Sequence, residues 1–430
     1  MQDISRRNFL AFTGIGALSL SAVGLSGCAP SGGGEAGNST IRFAWWGGAD
    51  RQKAYLSSLE TFGAEHPTIT VEPEFGDYNA YQERMTTQMA AKDVPEVFWI
   101  PSPAVLTYRD AGIYRSLEDV DSLDLSAFTE KEIELYRLDG ELNTLPKSMF
   151  SPVLRYNKTF MEEDGVALPE NLTWDNLAEF LTDYTKNNPS GRRGTTYGPY
   201  HDMPFESFLR QNGEDLWSQE GTLGASTDGV AAWIEWWERL RKAGVTTTVS
   251  EQDGIEPGWS DVGDKVLVTF ANSNHIVDDA AAFPDYEFDQ RDMPALEDAA
   301  AGYHFTYYSR FAMYSGIEDD RIQAAGELMS FNLNSIDLLK LVGLSAGAPP
   351  SSKLLAEYEE FATPDEQKVI AITKEVAATE QRPRYEAPAG SGSWRTMLTR
   401  ELEAVTLGER SVSDAANNFV SGVSAEIEKA

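Results

Sequence analysis

The chain has 430 residues, of which 41% are hydrophobic and 10 are tryptophans, so it is long enough for sizeable cores and roughly two domains. Its formal net charge of −33 disfavours binding to nucleic acid and to anionic lipid head groups, because like charges repel. The only cysteine in the sequence is Cys28, which excludes an intrachain disulfide bond.

The N-terminal stretch predicts an export signal. Ser5-Arg6-Arg7-Asn8-Phe9-Leu10 precedes a mildly apolar run over residues 11–23, and the stretch closes on Leu25-Ser26-Gly27-Cys28. The run is too short to span a membrane. This pattern resembles a twin-arginine signal with a bacterial lipobox, which implies removal of residues 1–27 and lipidation of Cys28. The alternative is a frayed amphipathic N-terminus.

Loss of the signal would raise the negative charge slightly. Arg6, Arg7 and Asp3 would leave with it, so the mature net charge becomes −34. Residues 28–38 are predicted to be the lipidated cysteine and a flexible, glycine-rich tether. We therefore expect an extracytoplasmic protein that its lipid anchors to the cell membrane.

Alternating signals over residues 41–100 predict a parallel sheet wrapped by helices. They are, in order, strand, helix, strand, helix and strand, at residues 41–46, 50–66, 69–71, 78–91 and 97–100. Ligands of such sheets lie beyond the carboxyl ends of the strands, where Trp45, Trp46 and Ser102 are placed.

Later elements predict a second unit with a core rich in tryptophan. A helix begins at Thr173, whose side chain can cap it. In a longer helix at about residues 228–243, the helical spacing of Trp233 and Trp237 favours core packing, and Trp236 is expected at the margin.

Two polar segments of the second unit are candidates for ligand contact. The first is the loop Gly198-Pro199-Tyr200-His201, and the second is Ala271-Asn272-Ser273-Asn274-His275, which follows a predicted strand at residues 263–270. A polar cluster directly after a buried strand offers hydrogen-bonding groups at the sheet edge. Asn272 or Asn274 is expected to contact ligand.

A set of motifs resembles the extracellular solute-binding proteins of ABC sugar importers, the class that includes maltose-binding protein. The set covers nearly the whole mature chain in the order expected for that class. It consists of Trp45-Trp46-Gly47-Gly48, Tyr81-Gln82, Ala90-Ala91, Pro95-Glu96-Val97, Tyr156-Asn157-Lys158, Leu168-Pro169, Thr173-Trp174-Asp175 and Gly408-Glu409-Arg410-Ser411-Val412-Ser413-Asp414-Ala415. Many relatives carry an acidic residue after the third strand, where this chain has Pro101-Ser102-Pro103.

The resemblance implies an α/β, two-lobe, periplasmic-binding-protein-like fold. Each lobe would be a mostly parallel sheet flanked by helices, hinged where the chain crosses between lobes. The N-terminal lobe would comprise residues 39–147 with 310–345, and the C-terminal lobe residues 148–309 with 346–430. The implied function is that of the substrate-binding component of an ABC transporter, which captures a mono- or oligosaccharide and delivers it to the permease.

The crossings implied by the resemblance supply further site candidates. Phe150 and Ser151 would face the cleft at the first crossing, and Arg310 lies at the second. Trp394 heads a helix where relatives offer an aromatic side chain to the ligand, so it is either a platform for a sugar ring or plain helix packing.

Sugar rings expose an apolar face beside their hydroxyl groups, so their sites combine stacking aromatics with fixed polar groups. One of Trp45 and Trp46 is expected to be core. The predicted ligand-binding residues are Trp45, Trp46, Tyr78, Ser102, Phe150, Ser151, Tyr200, Asn272, Asn274, Arg310 and Trp394.

Enzyme signatures are missing from the sequence, which has no Gly-x-Ser-x-Gly elbow, phosphate-binding loop or His-Glu-x-x-His helix. The four histidines lack metal-ligand spacing. We therefore expect no catalytic residue, cofactor or metal. A glycoside hydrolase with carboxylates across a cleft is an unfavoured alternative.

A receptor for a cationic solute such as a polyamine stays open as the second class of binding protein. Its binding would weaken sharply with ionic strength, whereas binding of a neutral sugar would not. The expected partners are a small-molecule sugar, the transmembrane subunits of an ABC permease and the membrane through the lipid on Cys28, without nucleic acid and with the protein as a monomer.

Overall fold

The computed structural model describes residues 38–188, 190–248, 251 and 265–430. The predicted signal, Cys28 and the tether up to residue 37 lie outside these residues, as do Gly263 and Asp264 of one predicted strand. Within the described part of the chain, no helix is long and apolar enough to span a membrane.

Strands and helices alternate along most of the described chain. The strands are β1 (Ser39–Trp46), β2 (Ile69–Gly76), β3 (Val97–Ile100), β4 (Leu145–Phe150), β5 (Pro152–Asn157), β6 (Arg193–Thr195), β7 (Val266–Asn272), β8 (Phe288–Asp292) and β9 (Tyr307–Met313). The helices are α1 (Ala49–Glu65), α2 (Tyr78–Ala91), α3 (Val105–Asp110), α4 (Glu130–Glu134), α5 (Lys158–Asp164), α6 (Trp174–Asn187), α7 (Asp202–Gln211), α8 (Thr227–Lys242), α9 (His275–Ala282), α10 (Ile322–Asn334), α11 (Ile336–Val342), α12 (Ser352–Tyr358), α13 (Pro364–Ala377), α14 (Trp394–Thr406) and α15 (Val412–Ile427).

The first sheet has five strands in the order β2-β1-β3-β9-β4. β1 lies parallel to β2 and β3, whereas β9 is antiparallel to β3 and β4. Because β1 and β3 are central, nearly all their side chains are covered, as expected for strands with helices on both faces. The core around this sheet includes Ile41, Phe43, Tyr55, Phe62, Tyr81, Met85, Val97, Phe98 and Leu328.

The second sheet has four strands in the order β6-β7-β5-β8. β5 is antiparallel to both of its neighbours, β7 and β8, and β6 is parallel to β7. Helices α6, α7, α8, α14 and α15 contribute most of the surrounding core. We call the elements around the first sheet the first lobe and those around the second sheet the second lobe.

In each sheet one strand runs against all the others, β9 in the first and β5 in the second. The predicted α/β class is confirmed, with sheets that are mixed in direction. Only Ser151 separates β4 from β5, so the chain passes straight from one sheet into the other. The exact lobe limits stay predictions.

Helix α8 contributes three tryptophans to the core of the second lobe. Trp233 and Trp237 are fully buried, as their spacing predicts. Trp236 is also buried, at 7% exposure, so its expected position at the margin is wrong. The reason is Trp174, whose ring lies edge-on 4.9 Å from that of Trp236 and whose carbonyl accepts the indole N–H at 2.9 Å. Thr173 caps α6, as predicted.

Candidate functional site

A cavity of about 20 Å³ lies between the two lobes. Ser102 and Pro103, which follow β3, line it from the first lobe. The second lobe supplies the remaining lining, which is Asp202, Glu206, Leu216, Trp217, Arg384, Glu386, Ala387, Trp394 and Arg395. A space of this size holds about one water molecule, so the lobes are closed tightly around it.

The ion pair of Arg395 with Asp202 sits at one side of this cavity. Tyr78, at the start of α2 in the first lobe, interacts with the positive charge of Arg395, so this interaction joins the two lobes. Burial raises the pKa of Tyr78, which keeps the phenol neutral. Although burial works in the opposite direction, Arg395 holds the pKa of Asp202 below its usual value. The pair therefore stays charged.

A second chain of ion pairs runs along the other side of the cavity. Arg384 bonds Glu206 at 2.7 Å and approaches Glu386 at 3.6 Å. Glu386 in turn lies 3.4 Å from Arg310, which belongs to β9 of the first lobe. Burial opposes the charge on Arg384, but Glu206 and Glu386 raise the pKa of its guanidinium. Each of the three carboxylates that line the cavity is thus paired with an arginine.

Aromatic side chains at the first crossing flank these charges. The rings of Phe150 and Tyr307 lie 5.0 Å apart, and the guanidinium of Arg384 lies 4.7 Å from the centre of the Tyr307 ring. Burial raises the pKa of Tyr307, and Ser102 lowers it by less than burial raises it. Of the predicted residues, Ser102 lines the cavity, and Phe150 packs on Tyr307 beside Arg384.

Trp46 ends β1 at the carboxyl edge of the first sheet and is half-buried. Its ring is 5.4 Å from Tyr78, 5.2 Å from Tyr81 and 5.0 Å from Trp99. Trp46 ends β1, so its side chain points to the opposite face of the sheet from Trp45. Trp46 thus packs in an aromatic cluster with Tyr78, Tyr81 and Trp99, of which Tyr81 and Trp99 are fully buried.

The burial of Trp45 and of Trp394 bears on their predicted contact with the ligand. Trp45 is completely buried among Phe43, Tyr55 and Phe75, because β1 is a central strand and this residue faces the core. It is the core member of the Trp45 and Trp46 pair. Trp394 is 3% exposed, which favours helix packing over a ring platform, and its contact with ligand stays a prediction.

Trp394 packs inside the second lobe. Its ring lies 6.3 Å from Phe205 and edge-on 6.0 Å from Trp217. The first turn of α14 thus packs against α7, and Trp394 is also one of the residues that line the cavity.

Several other predicted residues hold the crossings together. Ser151 is buried and exchanges backbone bonds with Ser273, its N–H donating to the hydroxyl at 3.1 Å and its carbonyl accepting the Ser273 N–H at 2.9 Å. Asn274 donates to the carbonyl of Ser345 at 2.6 Å. The hydrogen bonds of Ser151 and Asn274 therefore stabilise the backbone where the chain crosses between the lobes.

The structure places the predicted ligand-binding residues Asn272, Tyr200 and Arg310 in three different settings. Asn272 ends β7 opposite Pro152 and is half-buried. Tyr200 is half-buried, with its ring 4.8 Å from that of His201. Arg310 is 6% exposed and donates to the carbonyl of Tyr136 at 2.8 Å, so it anchors the first lobe and reaches the site only through Glu386.

The charged residues of the cavity were missed by sequence reasoning. They are Asp202, Glu206, Arg384, Glu386 and Arg395. Arg384 and Glu386 lie in an irregular segment between α13 and α14, where no periodicity indicates direction. The available signal was the alternation of charge and aromatic in Arg384-Tyr385-Glu386. Among the described residues, no group of three or more His, Cys, Asp and Glu side chains is placed to hold a metal ion.

A family model described as bacterial extracellular solute-binding protein matches residues 58–367 of this chain. An arabinooligosaccharide-binding protein from Halalkalibacterium halodurans is 29% identical over 103 residues, which are 24% of this chain and 23% of that protein. The match thus spans less than a quarter of that relative's length.

Solved structures agree over nearly the whole fold. A periplasmic oligogalacturonide binding protein from Yersinia enterocolitica, in complex with saturated digalacturonic acid, has a TM-score of 0.79 and 18% identity, covering 91% of this chain and 99% of that chain. A periplasmic solute binding protein from Pectobacterium atrosepticum has a TM-score of 0.76 and 23% identity, with the same coverage. At these identities the likeness concerns the fold, and it confirms the two-lobe architecture.

Proposed function

The chain belongs to the bacterial extracellular solute-binding proteins, and from this premise we propose that it is the substrate-binding component of an ABC transporter that captures a carbohydrate between its lobes and delivers it to the permease. The protein is a binding protein without catalytic activity. Its partners are a sugar and the transmembrane subunits of the permease, and it acts as a monomer.

The observation that carries this proposal is the pairing of two surfaces across the cleft. The first lobe presents the half-buried ring of Trp46 beside Tyr78, and the second lobe presents the Arg395 and Asp202 pair. An apolar ring face with charged hydrogen-bonding groups opposite it matches the two sides of a sugar. The arabinooligosaccharide- and oligogalacturonide-binding relatives support the same class of ligand.

The charges of the cavity argue against a cationic solute. A polyamine receptor needs carboxylates that are free to neutralise its ligand. Here Asp202, Glu206 and Glu386 are each engaged by an arginine already. Releasing them for a cation would leave Arg310, which is buried, and Arg384, which is largely covered, without their carboxylates, which is costly.

Solute entry requires the lobes to separate, because a cavity of about 20 Å³ is smaller than a sugar ring. We infer that the lobes rotate about the crossings, as rigid bodies do in hinge closure. Contacts such as that of Tyr78 with Arg395 would break on opening and form again on closure.

A thermal-shift screen tests the proposal. It compares neutral and acidic mono- and oligosaccharides with spermidine and putrescine, at low and high salt. A ligand at a hundred times its Kd stabilises the folded state by about 2.7 kcal/mol. A saccharide that raises the melting temperature supports the proposal; stabilisation by a polyamine alone, lost at high salt, would replace it.

We further propose that Cys28 is lipidated after export through the twin-arginine route and anchors the protein to the membrane. The support is the order of Arg6-Arg7, the apolar run and Leu25-Ser26-Gly27-Cys28. The variant Cys28→Ser is expected to fold normally and to leave the membrane fraction. A variant that remains bound to the membrane as tightly as the wild type would show that the anchor lies elsewhere.

A further inference from the structure

Glu386 lines the cavity between the lobes and is held there only loosely. Glu206, which lines the same cavity, is held through both of its oxygens, which lie 2.7 and 2.9 Å from nitrogens of Arg384. Glu386 lies 3.4 Å from Arg310 and 3.6 Å from Arg384, whereas a charge-assisted hydrogen bond normally measures about 2.7–2.9 Å. The Glu386 oxygens therefore keep capacity for further donors.

Each oxygen of Glu386 faces a different arginine. Oε1 lies toward Arg310 and Oε2 toward Arg384. Arg310 also donates to the carbonyl of Tyr136 at 2.8 Å and to the hydroxyl of Thr144 at 3.0 Å, which fixes its guanidinium beside the cavity. A carboxylate has about four acceptor positions. Glu386 can thus accept one more hydrogen bond at each oxygen while both arginines stay beside it.

Glu386 lies where the two lobes meet. Its side chain is 15% exposed, against 5% for that of Glu206, so it is the more accessible of the two acids. It belongs to the segment between α13 and α14 in the second lobe, and its partner Arg310 belongs to β9 of the first lobe. A solute that contacts Glu386 therefore contacts the junction that forms when the lobes close.

An unpaired donor lines the same cavity. The Nε of Arg395 is buried and has no hydrogen-bond partner among the residues that the structure describes. A terminal nitrogen of this guanidinium contacts Asp202, which leaves Nε as its spare donor. A buried donor without a partner is costly, so a solute oxygen that accepts from it gains affinity. Because Glu386 and Arg395 line one small cavity, a single solute molecule can reach both.

A spare acceptor beside a spare donor is matched by a hydroxyl group, which both donates and accepts, whereas a carboxylate only accepts and an ammonium only donates. We propose that Glu386 accepts hydrogen bonds from two neighbouring hydroxyl groups of the solute and that the Arg395 Nε donates to a solute oxygen, so that the site selects a neutral saccharide over an acidic one. This inference rests on the proposed function and specifies its substrate class.

Charge supports the choice of a neutral solute. A uronate would bring a second carboxylate against Glu386, and like charges repel. A cation would need a carboxylate whose charge is not neutralised, and Glu386 lies between two arginines. A hydroxyl group needs only a free lone pair, which Glu386 has.

Calorimetric titrations of the wild type and Glu386→Gln test the inference. The neutral probes are glucose, galactose and galactobiose, and their acidic counterparts are glucuronate, galacturonate and digalacturonate. We expect the wild type to bind a neutral probe at least about 10-fold more tightly than its acidic counterpart. Glutamine keeps the size of the side chain but is an uncharged acceptor with one oxygen. Glu386→Gln should therefore bind the neutral probe about 10-fold more weakly, and the acidic counterpart no more weakly, than the wild type.

Glu163→Gln is the matched control. Glu163 also contacts an arginine of the second lobe, Arg192, but is not among the residues that line the cavity. This variant should bind every probe as the wild type does. The melting temperature of each apo variant shows that it is folded, and the comparison of neutral with acidic probes on the wild type needs no variant.

The outcomes separate the inference from the proposed function. Tighter binding of a uronate than of its neutral counterpart by the wild type overturns the inference and leaves carbohydrate capture standing. Undiminished binding of the neutral probe by Glu386→Gln has the same consequence. If the protein binds spermidine or putrescine and none of the sugars, both are overturned.

Discussion

The two lobes use tryptophan in opposite ways. In the second lobe, Trp174, Trp233, Trp236 and Trp237 interlock with neighbouring ring centres 4.9–5.7 Å apart, and all four are buried. In the first lobe, Trp45 and Trp99 are buried in the same manner, but Trp46 keeps an exposed face at the cleft.

The buried tryptophans differ from Trp46 in their position in the fold, not only in how closely they are spaced in the sequence. The three tryptophans of α8 are closely spaced, and three of the four in the second-lobe cluster donate their indole N–H inside the core. Trp46 stands at the carboxyl end of β1, where its ring packs against Tyr78 and Tyr81 of α2 and stays half-buried. A single strand-end tryptophan is therefore a better candidate for a sugar than the rich cluster.

The largest effect expected from this comparison concerns Trp394. Trp394→Ala should lower the unfolding free energy of the apo protein by about 3 to 5 kcal/mol, because it leaves a cavity between Phe205 and Trp217. Chemical denaturation measures this loss. Trp394→Phe, which retains most of the ring packing, should lose much less.

Trp394→Ala could instead keep the melting temperature of the wild type and bind the sugar more weakly. Trp394 would then be a ligand-binding residue like Trp46, which would contradict the contrast between the two lobes.

A somewhat smaller effect is expected from the second lobe's enclosed histidine. Burial lowers the pKa of His201 to about 4 from its ordinary value of 6.5, with Asp202 opposing the shift and Arg395 adding to it. Between these two pH values, His201 therefore binds a proton in the unfolded chain but stays neutral in the folded protein. The contribution of His201 to the free energy of unfolding is fully present above pH 6.5. It is lost as the pH drops towards 4, which lowers the free energy of unfolding by about 3 kcal/mol.

The check is a series of denaturation curves between pH 7.5 and 4.5 on the wild type and His201→Gln. The variant should lose less stability across this range. Parallel curves for wild type and His201→Gln would contradict the assignment.

The sequence predicted the architecture well, because alternating strand and helix signals depend on local patterns. Topology also fixes the carboxyl edge of a parallel sheet, where Trp46 and Ser102 were predicted, and Ser102 lines the cavity between the lobes. Burial at 233 and 237 followed from helical spacing.

The charged half of the site was not predictable in this way. Arg384 and Glu386 reach Glu206 and Arg310 across long sequence separations, from a segment with neither helix nor strand. Periodicity carries no information about such a segment. The choice between the two roles of Trp394 stayed open because its place in the chain does not reveal that its ring packs on Phe205 of α7.

The central claim is that a carbohydrate stacks on Trp46 in the cleft. Titration of the wild type and Trp46→Ala with the sugar that the screen identifies tests it most directly. Loss of the stacking face and its buried area should weaken binding by about 1 to 3 kcal/mol, roughly five- to 150-fold, with a smaller fall in apo melting than in Trp394→Ala. Equal affinities for wild type and Trp46→Ala would contradict the account.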